Sequence, residues 1–439
     1  MNSLLLERAL KLLEQYPLCS SCLGRQFALL GYGLSNSERG DAIKTLLLMR
    51  TSRGEPPKER DIKLISLLAR SGFKPAQELA EVLNIKISKL PCYICEDKLS
   101  ELRSVVPKIV NDLTKIEYNT FLVGSIVPKD VLKREEEVRI SLNLPYAESI
   151  KREINREVGK LIQSMTGKTV EFKNPDILIL IDLENLSYSI KIFPLYIYGR
   201  YRKLRRGIPQ SRWPCKHCFG KGCEVCGYRG KRYPFSIEEL ISNLIVKASR
   251  GKYAILHAAG REDIDARMLG RGRPFILEVI EPIKRNINLK EIEMLINYSY
   301  RGLVEVYDLK VATSDLVRYF KLSSKVRRKL YRAIIKVDRL LSDIDISKLE
   351  DVFEDKIIYQ RTPLRVIHRR PDRIREKRVY RLKVLHKSKE HLEVLILAQG
   401  GLYVKELISG DNGRTSPSIE EELGINAECV VLDVIEVEG

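Results

Sequence analysis

Eight of the nine cysteines in this 439-residue chain fall into four Cys-x-x-Cys pairs, a spacing that dictates which distant segments can meet. Cys19-Ser-Ser-Cys22 and Cys92-Tyr-Ile-Cys95 are separated by some seventy residues. One such pair can place two thiolates on a tetrahedral ion and would equally suit a redox centre, whereas two pairs complete a four-thiolate site. Structural zinc is therefore expected at Cys19, Cys22, Cys92 and Cys95. Cys215-x2-Cys218-x4-Cys223-x2-Cys226 is a tight double knuckle with Gly220, Gly222 and Gly227 among its cysteines, and by spacing it is the strongest metal signal in the chain. Glycine lets the backbone turn so that its amides face the sulfurs. His217 lies inside the first knuckle, but four thiolates already satisfy zinc, so it is expected to be a bystander.

A disulfide framework is not expected. Glu7, Lys11 and Glu14 interrupt the N-terminal apolar residues before a signal-peptide core can form. No stretch approaches the roughly 18 apolar residues of a membrane span. A cytoplasmic location with reduced thiols follows as the expectation. Charge narrows the partner: 77 Lys and Arg against 58 Asp and Glu give +19 and a pI of about 9.4. A thermophile-type surface explains many charges of both signs but not this surplus. A polyanion does explain it, because each neutralised phosphate releases counterions.

Hydrophobic periodicity divides the chain. Leu4, Leu5, Ala9, Leu12 and Leu13 give residues 3 to 15 one apolar helical face. From 147 to 166, Ile150, Ile154, Val158, Leu161, Ile162 and Met165 repeat at helical spacing, with Gly167 as a stop. Residues 175 to 183 read as a buried strand and 187 to 192 as its neighbour. Tyr198 to Arg206 concentrates cations between tyrosines and runs on to Gln210-Ser-Arg-Trp213, a composition suited to RNA. Beyond residue 233, Ser236 and Glu239 form a capping box. A helix near 289 to 297, strands at 303 to 311 and 330 to 336, and a hairpin from 379 to 397 follow. These elements indicate an α+β fold with a mostly antiparallel sheet in the C-terminal half. The expected parts are a helical region with the first cysteine site at 1–110, an RNA-binding region at 111–206, a basic loop and second knuckle at 207–232, and a catalytic domain at 233–439. No nucleotide fingerprint interrupts the last part, and no heptad argues against a monomer.

Between a strand at 253 to 258 and another at 275 to 279 lies Gly260-Arg-Glu-Asp-Ile-Asp-Ala-Arg267, continuing through a Gly-rich turn. Asp263 and Asp265 stand between Arg261 and Arg267, and a carboxylate beside fixed guanidinium groups is available as a nucleophile or base. The residues alone leave open an ordinary solvated turn with surface ion pairs.

This segment resembles the G-R-x-D loop of pseudouridine synthases, and Gly260 to Phe275 is most similar to the archaeal and eukaryotic Pus-ten family of tRNA pseudouridine synthases. The resemblance implies that Asp263 is the nucleophile, with Arg261 beside it in the substrate loop, and that no cofactor is needed for catalysis. It places Tyr331, in Lys-Leu-Tyr-Arg, where the family has a tyrosine that stacks on the target base. In Gly400 to Thr415 it matches Tyr403 to a substrate contact and Lys405 to a cation supporting the aspartate, and Leu432 to a pocket residue. Gly401-Leu402-Tyr403 departs from the family, whose members commonly carry a small polar residue before the tyrosine. The four N-terminal cysteines match the family's zinc site, and eukaryotic members lack the second knuckle. The helix and strand pair at 147–192 is similar to the THUMP module, an RNA-binding element. The substrate implied is tRNA at the adjacent T-loop uridines U54 and U55. A second basic concentration, Thr362 to Arg370 with Arg373, Arg375, Lys377 and Arg378, is expected to grip phosphates.

Two other classes stay open on the residues. Glu262, Asp263 and Asp265 could bind Mg²⁺ in a ribonuclease, or the chain could be a zinc-knuckle tRNA-binding protein without catalysis.

Overall fold

Hydrophobic burial divides the chain at Phe193 and Pro194 into two compact units in the computed structural model, which describes residues 2–51, 58–323 and 327–438. In the first unit a single apolar core continues from Ala9 to Leu183. Helices dominate to residue 113, and the helix Lys98–Leu113 packs on the helix Ile150–Thr166. Of the expected N-terminal face, Ala9, Leu12 and Leu13 are buried, while Leu4 is exposed. The fully buried Arg25 ties this region together, meeting Glu135 at 3.1 Å and Glu153 at 2.7 Å. A buried charge of this kind is tolerable because it is paired on both sides.

Strands β1 (Thr120–Ile126), β2 (Thr169–Val170), β3 (Ile177–Asp182) and β4 (Ser187–Ile192) form a sheet of order β2-β1-β3-β4. β1 is parallel to β2 and β3, and β3 is antiparallel to β4. The helix before β2 stops at Gly167, whose φ of 68° is the left-handed conformation a helix end requires.

Among the described residues the second unit is built on ten strands: β5 (Leu195–Lys203), β6 (Tyr253–Ala258), β7 (Arg267–Ile280), β8 (Val304–Ala312), β9 (Arg328–Val337), β10 (Lys356–Arg361), β11 (Ile374–Lys387), β12 (His391–Gln399), β13 (Thr415–Ser416) and β14 (Ala427–Val437). Their order is β13-β10-β11-β12-β9-β14-β7-β5-β8, with β6 also on β7. The sheet is mixed rather than purely antiparallel, since β14 and β7 run parallel. That parallel pairing joins only Asp433 to Arg267 and Val434 to Met268, so two antiparallel halves meet along a short seam. The loop from 259 to 266 enters β7 at this seam.

Three sequence expectations are redrawn here. Residues 195–203, grouped by composition with the RNA-binding region, are a central strand of the second unit because their strict alternation buries Leu195, Ile197, Tyr201 and Lys203. The Gly-rich turn before Phe275 is part of β7. A Cβ on Gly270 would lie 1.9 Å from the Ile435 carbonyl oxygen and one on Gly272 2.6 Å from that of Tyr201, so these glycines permit close strand approach. Short helices at Ser314–Ser323 and Asp343–Val352, unforeseen from pattern, complete the unit.

Candidate active site

The loop between β6 and β7 is fixed from beneath by buried polar groups. Lys203, fully buried by the alternation of β5, donates its Nζ to the carbonyls of Ile208, Asp263 and Ile264 at 2.9–3.1 Å. Glu262 turns inward and is fully buried against Arg273, whose Nε donates at 2.8 Å, while the Tyr201 hydroxyl donates at 3.0 Å. Arg273 Nη1 also holds the Ala259 carbonyl at 2.7 Å, and Gln210 Nε2 holds that of Gly260 at 3.0 Å. Hydrogen bonds to charged groups contribute about 1.5–3 kcal/mol each, so this loop is held rigidly at its carbonyls. Burial, reinforced by Glu262, pushes the Tyr201 phenol well above its usual range.

Above that base Asp263 is partly exposed and paired through both oxygens with Arg365, at 3.2 Å each. Arg365 is oriented in turn by the buried Glu406, which accepts from its Nε at 2.6 Å. Burial opposes the charge on Arg365, but Glu406 and Asp263 outweigh it and hold the guanidinium above its ordinary pKa.

The other expected site residues take separate positions. Lys405 pairs with Asp265 at 2.5 Å rather than with Asp263, and this contact draws Asp265 below the usual carboxylate range against partial burial. Arg267 grips Asp433 at 2.8 and 3.1 Å. Arg261 is exposed and makes no ion pair among the described residues. Tyr331 lies on the inward face of β9, nine-tenths buried; burial and the charge of Asp263 push its phenol up to about 12 despite Arg273. Tyr403 precedes the helix Val404–Ser409, its backbone locked to the Gln360 amide at 2.9 and 3.0 Å and its hydroxyl accepting from Arg370 at 2.7 Å. Leu432 is buried on β14, where its carbonyl accepts from Arg206. Glu262, Asp263 and Asp265 thus each have their own cation and are not gathered on one point as Mg²⁺ ligation would require.

The basic run at 198–206 serves the loop more than solvent. Arg200 and Arg202 donate to the carbonyls of Arg271, Gly272 and Gly270, and Arg206 to those of Asp265 and Leu432. No local sequence signal marks Arg365 or Glu406 as site residues; for Lys203 the signal is a lysine at an inward position of an alternating strand.

Both cysteine sets converge. Cys19, Cys22, Cys92 and Cys95 have sulfurs within 4.8 Å of one another, as do Cys215, Cys218, Cys223 and Cys226. Backbone amides of Cys19, Cys22, Gly222, Cys223 and Gly230 point at sulfurs at 3.1–3.4 Å. Four thiols with amide donors could hold a metal ion. His217 is in neither set.

A family profile described as Pus10, C-terminal, matches residues 196–438, and one described as Pus10 THUMP domain, archaeal, matches 105–182. A protein of Thermofilum pendens named tRNA pseudouridine synthase Pus10 is 42% identical over 97% of this chain and 94% of its own length. Proteins of the same name from Methanopyrus kandleri and Ignisphaera aggregans are 41% and 40% identical, covering 98% and 99% of this chain and the same shares of their own. The archaeal THUMP profile covers β1 to β3 of the first sheet and the Pus10 C-terminal profile nearly all of the second unit, and the chain belongs to the Pus10 family.

Proposed function

We propose that this protein is a tRNA pseudouridine synthase that isomerises the T-loop uridines U54 and U55, with Asp263 as nucleophile. The observation that carries the reading is the bidentate Arg365–Asp263 pair on a rigid G-R-E-D loop in a chain that matches the family nearly end to end. Isomerisation breaks the C1′–N1 bond, turns the base and forms a C1′–C5 bond, C5 giving up its proton and N1 ending protonated, so oxidation state is unchanged and no cofactor is consumed. Asp263 engages the nucleotide; Arg365 supplies the compensating charge and fixes the direction of both carboxylate oxygens. Tyr331 packs against the flipped base, and with its phenol near 12 it acts as a protonated ring rather than a base. Tyr403, bridged to Arg370, contacts the substrate, with Arg261 at the loop's exposed edge and Leu432 in the pocket wall. Lys405 acts through Asp265, holding the C-terminal half of the loop.

Zinc would sit in both cysteine sets as a structural ion, and the thiol donor chemistry fits it. The THUMP domain would bind tRNA. The test is incubation with unmodified tRNA transcript and mapping by carbodiimide-dependent primer-extension stops. New T-loop stops that survive EDTA and vanish with Asp263→Asn are expected. Persistent stops with that variant would remove Asp263 from its role, and binding without stops would leave a tRNA-binding protein.

A further inference from the structure

Two buried cations, Lys329 and Arg327, have no anion partner among the described residues and lie close to the Asp263 loop. Lys329 is 5% exposed, on the same inward face of β9 as Tyr331, and its ammonium has no hydrogen-bond or ion-pair partner among the described residues. It packs against Gly260, where a Cβ would come within 2.8 Å of Nζ and 3.1 Å of Arg273 Nη1. Arg327, 8% exposed, leaves Nη1 without a partner while its guanidinium lies 5.0 Å from the Phe320 ring centre. Phe320 packs with Ala259, the residue before Gly260. Lys377 donates to the Gly400 carbonyl at 3.0 Å, on the turn that leads into Tyr403.

The strongest charges acting on Lys329 are the cations Arg273, Lys377 and Arg327 against the single carboxylate Glu262, which Arg273 and Tyr201 already occupy. Burial first, and Arg273 next, push the ammonium down to about 7. An uncompensated buried charge costs several kcal/mol, a cost that an anion brought beside it would offset.

We propose that Lys329 and Arg327, between Gly260 and the Gly400–Gly401 turn, form a binding site for a backbone phosphate of the substrate RNA. This rests on the RNA-modifying reading above. Gly260, having no Cβ, lets the loop backbone pack directly against the Lys329 ammonium, and this sets the cation next to the loop of the nucleophile. A phosphate held there positions the strand so that the flipped nucleotide meets Asp263, and it recharges Lys329 fully.

The experiment measures the Kd of an unmodified tRNA transcript in an Asp263→Asn background across a salt series, with and without Lys329→Met. The expected result is a Kd raised about tenfold and a slope of log Kd against log salt reduced by about one, the signature of one lost phosphate contact. Lys329→Arg should restore both, and the Lys329→Met melting temperature should be no lower than the parent's, since an unpaired buried charge has been removed. Unchanged Kd and slope in a folded Lys329→Met protein overturn the proposal. If that variant melts early, Arg327→Gln decides in the same assay, and an unchanged slope there overturns it equally. Failure of the parent enzyme to make pseudouridine would instead overturn the functional reading, because the salt slope reports phosphate contact whether or not the base is isomerised.

Discussion

The side chain that most directly controls Asp263 is 102 residues away from it in sequence, and its own orientation depends on a third residue, Glu406. A guanidinium clamped at Nε by a buried carboxylate offers its two terminal nitrogens in a fixed plane, which lysine cannot reproduce. Arg365→Ala should therefore lower kcat about 10²- to 10³-fold, the usual cost of removing one preorganised charge partner, with a smaller change in KM; Arg365→Lys should recover little. Single-turnover pseudouridine formation checks this, and a normal kcat would assign Arg365 to the phosphate-gripping role that its basic neighbourhood suggests. Lys329 supplies a signed pH effect. Its folded pKa of about 7 lies below the ordinary 10.5, so between those values the unfolded chain holds a proton that the folded protein has released, and stability rises with pH. Lys329→Met abolishes this contribution. Its stability advantage over the parent should be largest near pH 6.5 and smaller at pH 9.5, as read from urea midpoints; an equal advantage at both would show that Lys329 does not titrate in that window.

At the scale of elements, legibility followed how local each signal was. Ser236, which caps its helix by accepting from the Glu239 amide without the reciprocal half of a capping box, the helix ending at Gly167 and the strands around 177 to 192 are written in neighbouring residues. Strand β5 was obscured because its alternation carries tyrosine and lysine on the buried face, where composition alone suggests RNA contact. The loop itself was legible in Gly260 to Arg267, but its partners were not, since Lys203, Arg365 and Glu406 arrive from separate strands, turns and helices through tertiary pairing. The glycines after it suggest a turn, because no sequence pattern distinguishes a turning glycine from one that admits a neighbouring strand. Gly270 tests that distinction. With φ of 55° and the Ile435 carbonyl where a Cβ would go, Gly270→Ala should cost about 2–4 kcal/mol, as strain at a special backbone position does. Gly413, at φ 77° with nothing within 4 Å, should lose only about 1–2 kcal/mol on Gly413→Ala. Paired denaturation curves check the contrast, and equal losses would mean that the β7–β14 seam adapts. Activity should fall further in Gly270→Ala than stability alone explains, because the seam sets the entry of the Asp263 loop.

Over the whole molecule, each compact unit carries its own four-cysteine set, and that arrangement sets what metal removal should do. In the first unit the sulfurs join residues 19–22 to 92–95 and are integrated with a core that continues to Leu183. In the second the knuckle spans only residues 215–226, and its cysteines contribute little to the main core. A bound ion at either site contributes its binding free energy to folding, but the amount of structure that depends on it differs. Protein purified with zinc should hold two ions per chain by elemental analysis, and Cys92→Ser and Cys215→Ser should each retain one. Cys92→Ser should lower the melting temperature of the first unit broadly, because a cross-link between segments distant in sequence is lost. Cys215→Ser should leave melting nearly unchanged while weakening tRNA binding, since the knuckle stiffens a surface loop whose exposed Lys216, Phe219, Lys221 and Tyr228 surround the sulfurs. Two zinc ions retained after Cys215→Ser would exclude the second site, whereas loss of one ion with unchanged tRNA affinity would confine the knuckle to holding its own loop.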